Sequence, residues 1–115
     1  MATFYWAAGA MAADAASTAR WGYLLYGGHV LDDTSLTAML PDDITIVGYG
    51  LGTKVDRLSY RGLPVVGHGG DTVGYSGWLG VIRDEQLAIA VLAPQTDVRT
   101  DLLGDDLATV VLEAK

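Results

Sequence analysis

The sequence predicts an α+β fold, with an antiparallel sheet of three to five strands flanked by helices. Three observations carry that expectation. Apolar residues recur at helical spacing near both ends of the chain, and extended patterning occupies the stretch between residues 44 and 92. The last extended segment puts Leu87, Ile89 and Val91 on one side and Ala88, Ala90 and Leu92 on the other. A row of alanines implies close approach by a helix, so both faces of the sheet are expected to be covered.

The elements follow in order. Residues 9–13 are small and apolar, and Asp14 then stands as an N-cap ahead of Ala15-Ala16-Ser17-Thr18. This helix should run to about Tyr26 and stop at Gly27-Gly28, with His29 just past its end. Thr18, Trp21 and Leu25 share one face, and Ala19, Tyr23 and Tyr26 another, which predicts burial on several sides. A second helix is signalled by Asp33 as cap, Thr34 through Leu40, and Pro41 as stop. Residues 44–47 and 49–58 read as extended, and Tyr60-Arg61-Gly62 as the turn into a strand over 63–67. Segments 74–82 and 87–92 form a hairpin across Arg83-Asp84-Glu85-Gln86. Pro94 ends that strand. Leu103, Leu107, Val110, Val111 and Ala114 then give a helical stripe, with Asp101, Asp105 and Asp106 towards its N-terminus and Lys115 at its C-terminus, as the helix dipole favours.

Composition narrows the function. A chain of 115 residues is one domain or a fragment of one, and it is long enough to bury a core. Half of its residues are hydrophobic and 18% are charged, which excludes disorder. A net charge of −7 argues against nucleic acid and anionic membrane as partners, and no segment approaches the length of a membrane span. The absence of cysteine removes disulfides, thiolate metal sites and a cysteine nucleophile. Asp32-Asp33, Asp42-Asp43 and Asp105-Asp106 stand at caps and turns, where aspartate is expected without a metal. The first residues, Met1 to Trp6, lack a basic targeting region, and Asp14 interrupts the apolar stretch that follows; the compartment stays open.

Function is written most densely in residues 65–78, where Val-Val-Gly-His-Gly-Gly-Asp-Thr-Val-Gly-Tyr-Ser-Gly-Trp sets His68 among Gly67, Gly69 and Gly70. Glycines at that density let a ligand approach the backbone; a tight β-bulge would also account for them. By contrast, Gly48-x-Gly50-x-Gly52 before Thr53-Lys54 fits neither phosphate-loop spacing, and no helix follows it, so it reads as a glycine-bearing strand.

His68-Gly69-Gly70, followed by Gly74-Tyr75-Ser76-Gly77-Trp78, resembles the third box of the serine β-lactamase-like family, which is Lys-Thr-Gly in many members and His-x-Gly in others. That family includes class C β-lactamases, D-alanyl-D-alanine carboxypeptidases and esterases. The segment from Gly9 to Trp21, the Leu31…Ser35-Leu36…Met39 element, Tyr49-Gly50-Leu51-Gly52, the strand over 87–92 and the final helix are similar to family elements in the same order. The resemblance implies that residues 1–115 are a single domain or fragment forming the C-terminal portion of a β-lactamase/transpeptidase-like fold. It implies that His68, Gly69 and Gly70 bind substrate, His68 standing at the family's basic position and contacting the substrate carboxylate or the catalytic hydroxyl network, and Gly70 leaving room for the acyl group. The backbone N–H of Asp71 would be an oxyanion-hole donor. Gly69 replaces the threonine of the Lys-Thr-Gly version, which leaves β-lactam, D-alanyl peptide and ester substrates open.

The family's nucleophile lies in Ser-x-x-Lys and its second box in Tyr-x-Asn. Here Ser17 leads to Arg20, Ser35 to Ala38, Ser59 to Gly62 and Ser76 to Leu79, and the chain has no asparagine. Arginine stays protonated and cannot serve as the base. The expected function is therefore that of a C-terminal fragment of a serine hydrolase, inert alone, with no metal or organic cofactor. Its partners would be the N-terminal portion of the parent hydrolase and, in the parent, a small-molecule or peptide substrate. The alternative is a non-catalytic α+β interaction module. Tyr5, Trp6 and the helix over 15–26 carry more apolar surface than one small sheet covers, which predicts a homodimer for the isolated chain.

Overall fold

Each of the first two helices begins at an aspartate whose carboxylate takes up a free N–H of the first turn. In the computed structural model, which describes residues 6–115, α1 spans Ala15–Tyr26 and Asp14 Oδ1 accepts from the Ser17 N–H at 2.7 Å. Past its end the His29 N–H reaches the Leu24 carbonyl at 2.9 Å, and Arg83 Nε donates to the Tyr26 carbonyl at 3.1 Å. The expected burial of α1 on several sides is corrected: Gly22 and Tyr26 are its buried residues, while Trp21 and Tyr23 face outwards. One sheet covers one face of a helix, and a small residue at Gly22 brings that face down onto Leu79 and Val81. Trp6 lies exposed in a short 3-10 turn, Trp6–Ala8, and Tyr5 lies outside the described residues.

The second helix, α2, spans Asp33–Met39, and its cap is Asp32 rather than Asp33: Asp32 Oδ1 accepts from the Ser35 N–H at 2.7 Å. Asp33 takes the first helical position, where a negative charge also favours the dipole. Leu40 is already extended, as a residue before proline prefers.

Five antiparallel strands follow in the order β1-β2-β3-β4-β5, namely Gly48–Tyr49, Lys54–Arg57, Pro64–Thr72, Tyr75–Ile82 and Leu87–Ala93. The α+β expectation and the flanked antiparallel sheet are what the structure has. Two extended segments are corrected. Residues 44–47 turn instead of pairing, because Asp43 Oδ1 accepts from both the Thr45 N–H and the Thr45 hydroxyl. The segment over 49–58 is interrupted between β1 and β2, where the Gly50 N–H bonds the Thr53 carbonyl and the Leu51 N–H bonds the Met39 carbonyl, both at 2.8 Å. β3 runs past residue 67 to Thr72.

Both faces of the sheet are covered. On one, Leu58, Val65, Ile82 and Ile89 pack with Ala108 and Leu112 of α3 (Thr100–Glu113). On the other, Val55, Val66 and Val81 pack with Tyr26 of α1 and Leu36 of α2, with Ala88 on that same side. The alanine side of β5 thus meets α1, as its small side chains imply. The helical stripe at the C-terminus is a helix but does not face the core. Thr100, Gly104, Ala108 and Leu112 are buried, while Leu103, Leu107 and Val110 are 47%, 48% and 65% exposed. The Trp78 indole decides this, lying where a Cβ on either Gly80 or Gly104 would clash with it, so the narrow glycine-alanine side of α3 is the one that fits. No helix among the described residues is long and apolar enough to cross a membrane.

Candidate functional site

The sheet leaves one strand half-paired, and the His68 segment lies there. β2 pairs with β3 from Arg57↔Pro64 to Lys54↔Gly67 and goes no further. β4 continues beside β3 without a break from Val66↔Val81 to Thr72↔Tyr75. The edge of β3 from residue 68 to 72 is therefore open on the β2 side, and His68, Gly69, Gly70 and Asp71 are exposed on it. The unbroken register rules out a bulge at the glycines.

The three glycines have different reasons to be there. A Cβ on Gly67 would stand 1.9 Å from the Leu79 carbonyl oxygen, so this glycine is required by the chain's own packing, not by a ligand. At Gly69 the nearest atom, the Gly77 carbonyl oxygen, would be 3.4 Å away, an ordinary contact. At Gly70 nothing lies within 4 Å, so its bareness serves nothing inside this chain. Gly69 and Gly70 present naked backbone to whatever lies outside.

His68 pairs with a residue that sequence reasoning gave no role. Tyr49 Oη lies 2.7 Å from His68 Nε2, with the rings edge-on at 83° and centroids 5.6 Å apart. His68 Nδ1 donates to the carbonyl oxygen of Gly69. The signal for Tyr49 was its place just ahead of Gly50, because that glycine fixes where the aromatic ring stands. A Cβ on Gly50 would be 2.2 Å from the Met39 carbonyl oxygen.

Two ion pairs border the edge, and the sequence reading singled out neither. Lys54 Nζ bonds Asp56 Oδ2 at 2.7 Å, and Arg99 holds Asp101 through Nε at 2.9 Å and Nη2 at 2.7 Å. Hydrogen bonding from Lys54 lowers the carboxyl pKa of Asp56 below the ordinary aspartate value, and hydrogen bonding from Arg99 does the same to Asp101. Together with Gly69, Asp71 and Trp78 these pairs line a cavity of about 320 Å³ beside the start of α3. An open groove of about 610 Å³ runs on the α1 side, with His68, Gly70, Tyr75 and Leu92 in its wall.

Hydroxyls pin the far end of the strand. The buried Ser76 Oγ donates to the Gln95 carbonyl at 2.9 Å and accepts from the Val98 N–H at 3.1 Å. Thr96 Oγ1 accepts from the Gly74 N–H and donates to the Thr72 carbonyl. These bonds make Ser76 a brace for the loop before α3, with both its donor and an acceptor committed. Among the described residues no group of three or more His, Asp or Glu side chains could hold a metal ion.

The arrangement is an exposed backbone edge with a held imidazole–phenol pair, glycine clearance and cavities on either side. Such an edge can hydrogen-bond an extended acyl or peptide group as an added strand. No family model matches the chain, and no curated protein matches it. Among solved structures, a D-stereospecific amidohydrolase from Streptomyces sp. is similar, with 32% sequence identity over 71% of this chain and a TM-score of 0.61. That enzyme has a penicillin-binding protein/β-lactamase-like fold, and the chain spans 25% of its length. In sequence and in fold, the chain is similar to one part of a β-lactamase-like hydrolase.

Proposed function

We propose that this chain is the C-terminal portion of a serine β-lactamase-like hydrolase that performs acyl transfer on an amide, ester or β-lactam, and that it is inert alone. The observation that carries this reading is the half-paired strand, whose exposed residues coincide with the His68-Gly69-Gly70 box. In this reading the acyl group lies along residues 68–71 and Gly70 keeps its path clear. The Asp71 N–H donates to the developing oxyanion, where a single donor contributes about 3–4 kcal/mol to the transition state. The serine nucleophile and its lysine base come from the parent's N-terminal portion, which is also the partner that covers the outward apolar stripe of α3. That same stripe supports a second reading, a non-catalytic α+β interaction module, because a module docks through such a surface with or without chemistry beside it.

The test compares the 115-residue chain with the longer product that this reading requires, sought in the coding sequence upstream of Met1. The chain alone should leave a chromogenic β-lactam and a p-nitrophenyl ester at buffer rates. The longer product should carry Ser-x-x-Lys and be labelled by a serine acylating reagent, and Gly70→Val should cut that labelling at least about 100-fold with the fold intact, an effect of the size of one lost oxyanion contact. A serine-dependent turnover by the chain alone, or normal labelling of the Gly70→Val protein, defeats the proposal. A longer product with no nucleophile hands the case to the interaction module.

A further inference from the structure

We infer that the polar side chain this edge presents to a ligand is Tyr49, held in place by His68, and that it accepts a hydrogen bond from an N–H group of the ligand. The inference rests on the reading of β3 as the substrate edge and names the chemistry that the edge selects.

Protons assign the roles. The carbonyl of Gly69 can only accept, so the His68 nitrogen against it, Nδ1, carries the hydrogen. In the neutral ring Nε2 is then an acceptor, and the proton in the 2.7 Å contact belongs to the Tyr49 hydroxyl. Both nitrogens of His68 are thereby committed inside the chain. Tyr49 Oη has given up its proton direction and keeps its lone pairs, so it meets the outside as an acceptor. The ring is 60% exposed yet fixed from behind by the pairing of Tyr49 with Lys54 and by the Gly50 and Leu51 backbone bonds.

The surrounding charges point the same way. A carboxylate arriving at this edge would look for a cation, but Lys54 is held by Asp56 and Arg99 by a two-pronged bond to Asp101. The chain also repels anions through its net charge of −7. An amide or amine N–H finds Tyr49 Oη free. The edge therefore selects a neutral or cationic acyl compound over one ending in a carboxylate, and His68 is a positioning residue for Tyr49 in place of the direct substrate contact that the resemblance implies.

The experiment uses the ¹⁵N-labelled 115-residue chain in two steps. Long-range ¹H–¹⁵N spectra should show neutral His68 with its proton on Nδ1. In Tyr49→Phe the tautomer should stay while the Nε2 resonance moves towards that of an unbonded acceptor, with the melting temperature unchanged. A proton on Nε2 in the wild-type chain, or no Nε2 change in Tyr49→Phe, overturns the pairing. The chain is then titrated with N-acetyl-D-alanine amide and with N-acetyl-D-alanine, which differ only in carboxamide against carboxylate. Resonances at Tyr49 and along 68–71 should respond to the amide at about tenfold lower concentration, and Tyr49→Phe should remove that preference. A carboxylate that binds as well as the amide defeats this inference and leaves the edge reading standing. Silence towards both defeats the edge reading and the inference with it.

Discussion

Trp78 shows how one side chain sets the terms for its neighbours. Its indole fills the space that a Cβ on Gly80 would enter at 2.1 Å and a Cβ on Gly104 at 2.2 Å. Gly104→Ala should therefore destabilise the chain by about 1–3 kcal/mol, since an aromatic ring wedged between strand and helix cannot step aside. The roughly 1 kcal/mol that alanine normally gains over glycine inside a helix does not reverse that sign. Gly22→Ala is the matched comparison. There the new Cβ would meet the Cδ1 end of Leu79 at 2.7 Å, a flexible tip that can rotate away, so gain and strain should nearly cancel. Thermal melts should rank Gly104→Ala several degrees below the wild type and Gly22→Ala close to it. Equal melting temperatures for the two would show that Trp78 is not the wedge it is taken to be. At this scale His68, Gly69, Gly70 and Asp71 were legible as a group, because glycines around a histidine stand out in any chain. Tyr49 was not, since its partner is 19 residues away and meets it only across the edge of the sheet.

Helix starts are where the charge of this acidic chain becomes stability. Asp14 and Asp32 each accept a backbone N–H, from Ser17 and Ser35, and that bond lowers both carboxyl pKa values below the ordinary one. A carboxyl whose pKa is lower folded than unfolded stabilises the fold fully above its unfolded value and loses that contribution as pH falls through the folded one. The capping contribution should be constant above about pH 4 and decline below it. Asparagine caps without titrating, so Asp14→Asn with Asp32→Asn should match the wild type near neutrality and show a flatter loss of stability in acid. Denaturant melts from neutral pH downwards read this directly, and parallel acid limbs would put the acid sensitivity elsewhere. The bounds of α1 were plain in the sequence, because cap, period and terminal glycine all agree. The cap of α2 lay one residue from the expected one, since adjacent aspartates are equally good caps and only backbone geometry chooses between them. The extension over 44–47 failed for a similarly local reason, the Asp43 side chain competing for the backbone.

For the whole molecule, the apolar surface left outside is the feature that governs association. Leu103, Leu107 and Val110 on α3 and Trp21 and Tyr23 on α1 face outwards from a sheet that already has helices on both sides. The isolated chain should therefore form a dimer by light scattering at tens of micromolar, and Val110→Lys with Leu107→Lys should shift it towards monomer without unfolding it. A monomeric wild type that binds no hydrophobic dye counts against this. What the sequence determined by itself is whatever depends on near neighbours along the chain: the α+β order, the Asp14 cap of α1, the 83–86 hairpin, the alanine side of β5 and the glycine cluster around His68. Periodicity also located the C-terminal helix. It misassigned that helix's buried side, because amphipathicity reports where apolar residues stand, not which side finds a partner of matching shape. Only the tertiary structure decided that the glycine-alanine side of α3 lies against Trp78, that β2 stops at Lys54 and opens the edge of β3, and that Tyr49 reaches His68. Each is a fit between segments far apart in sequence, and steric fit of that kind has no period to read.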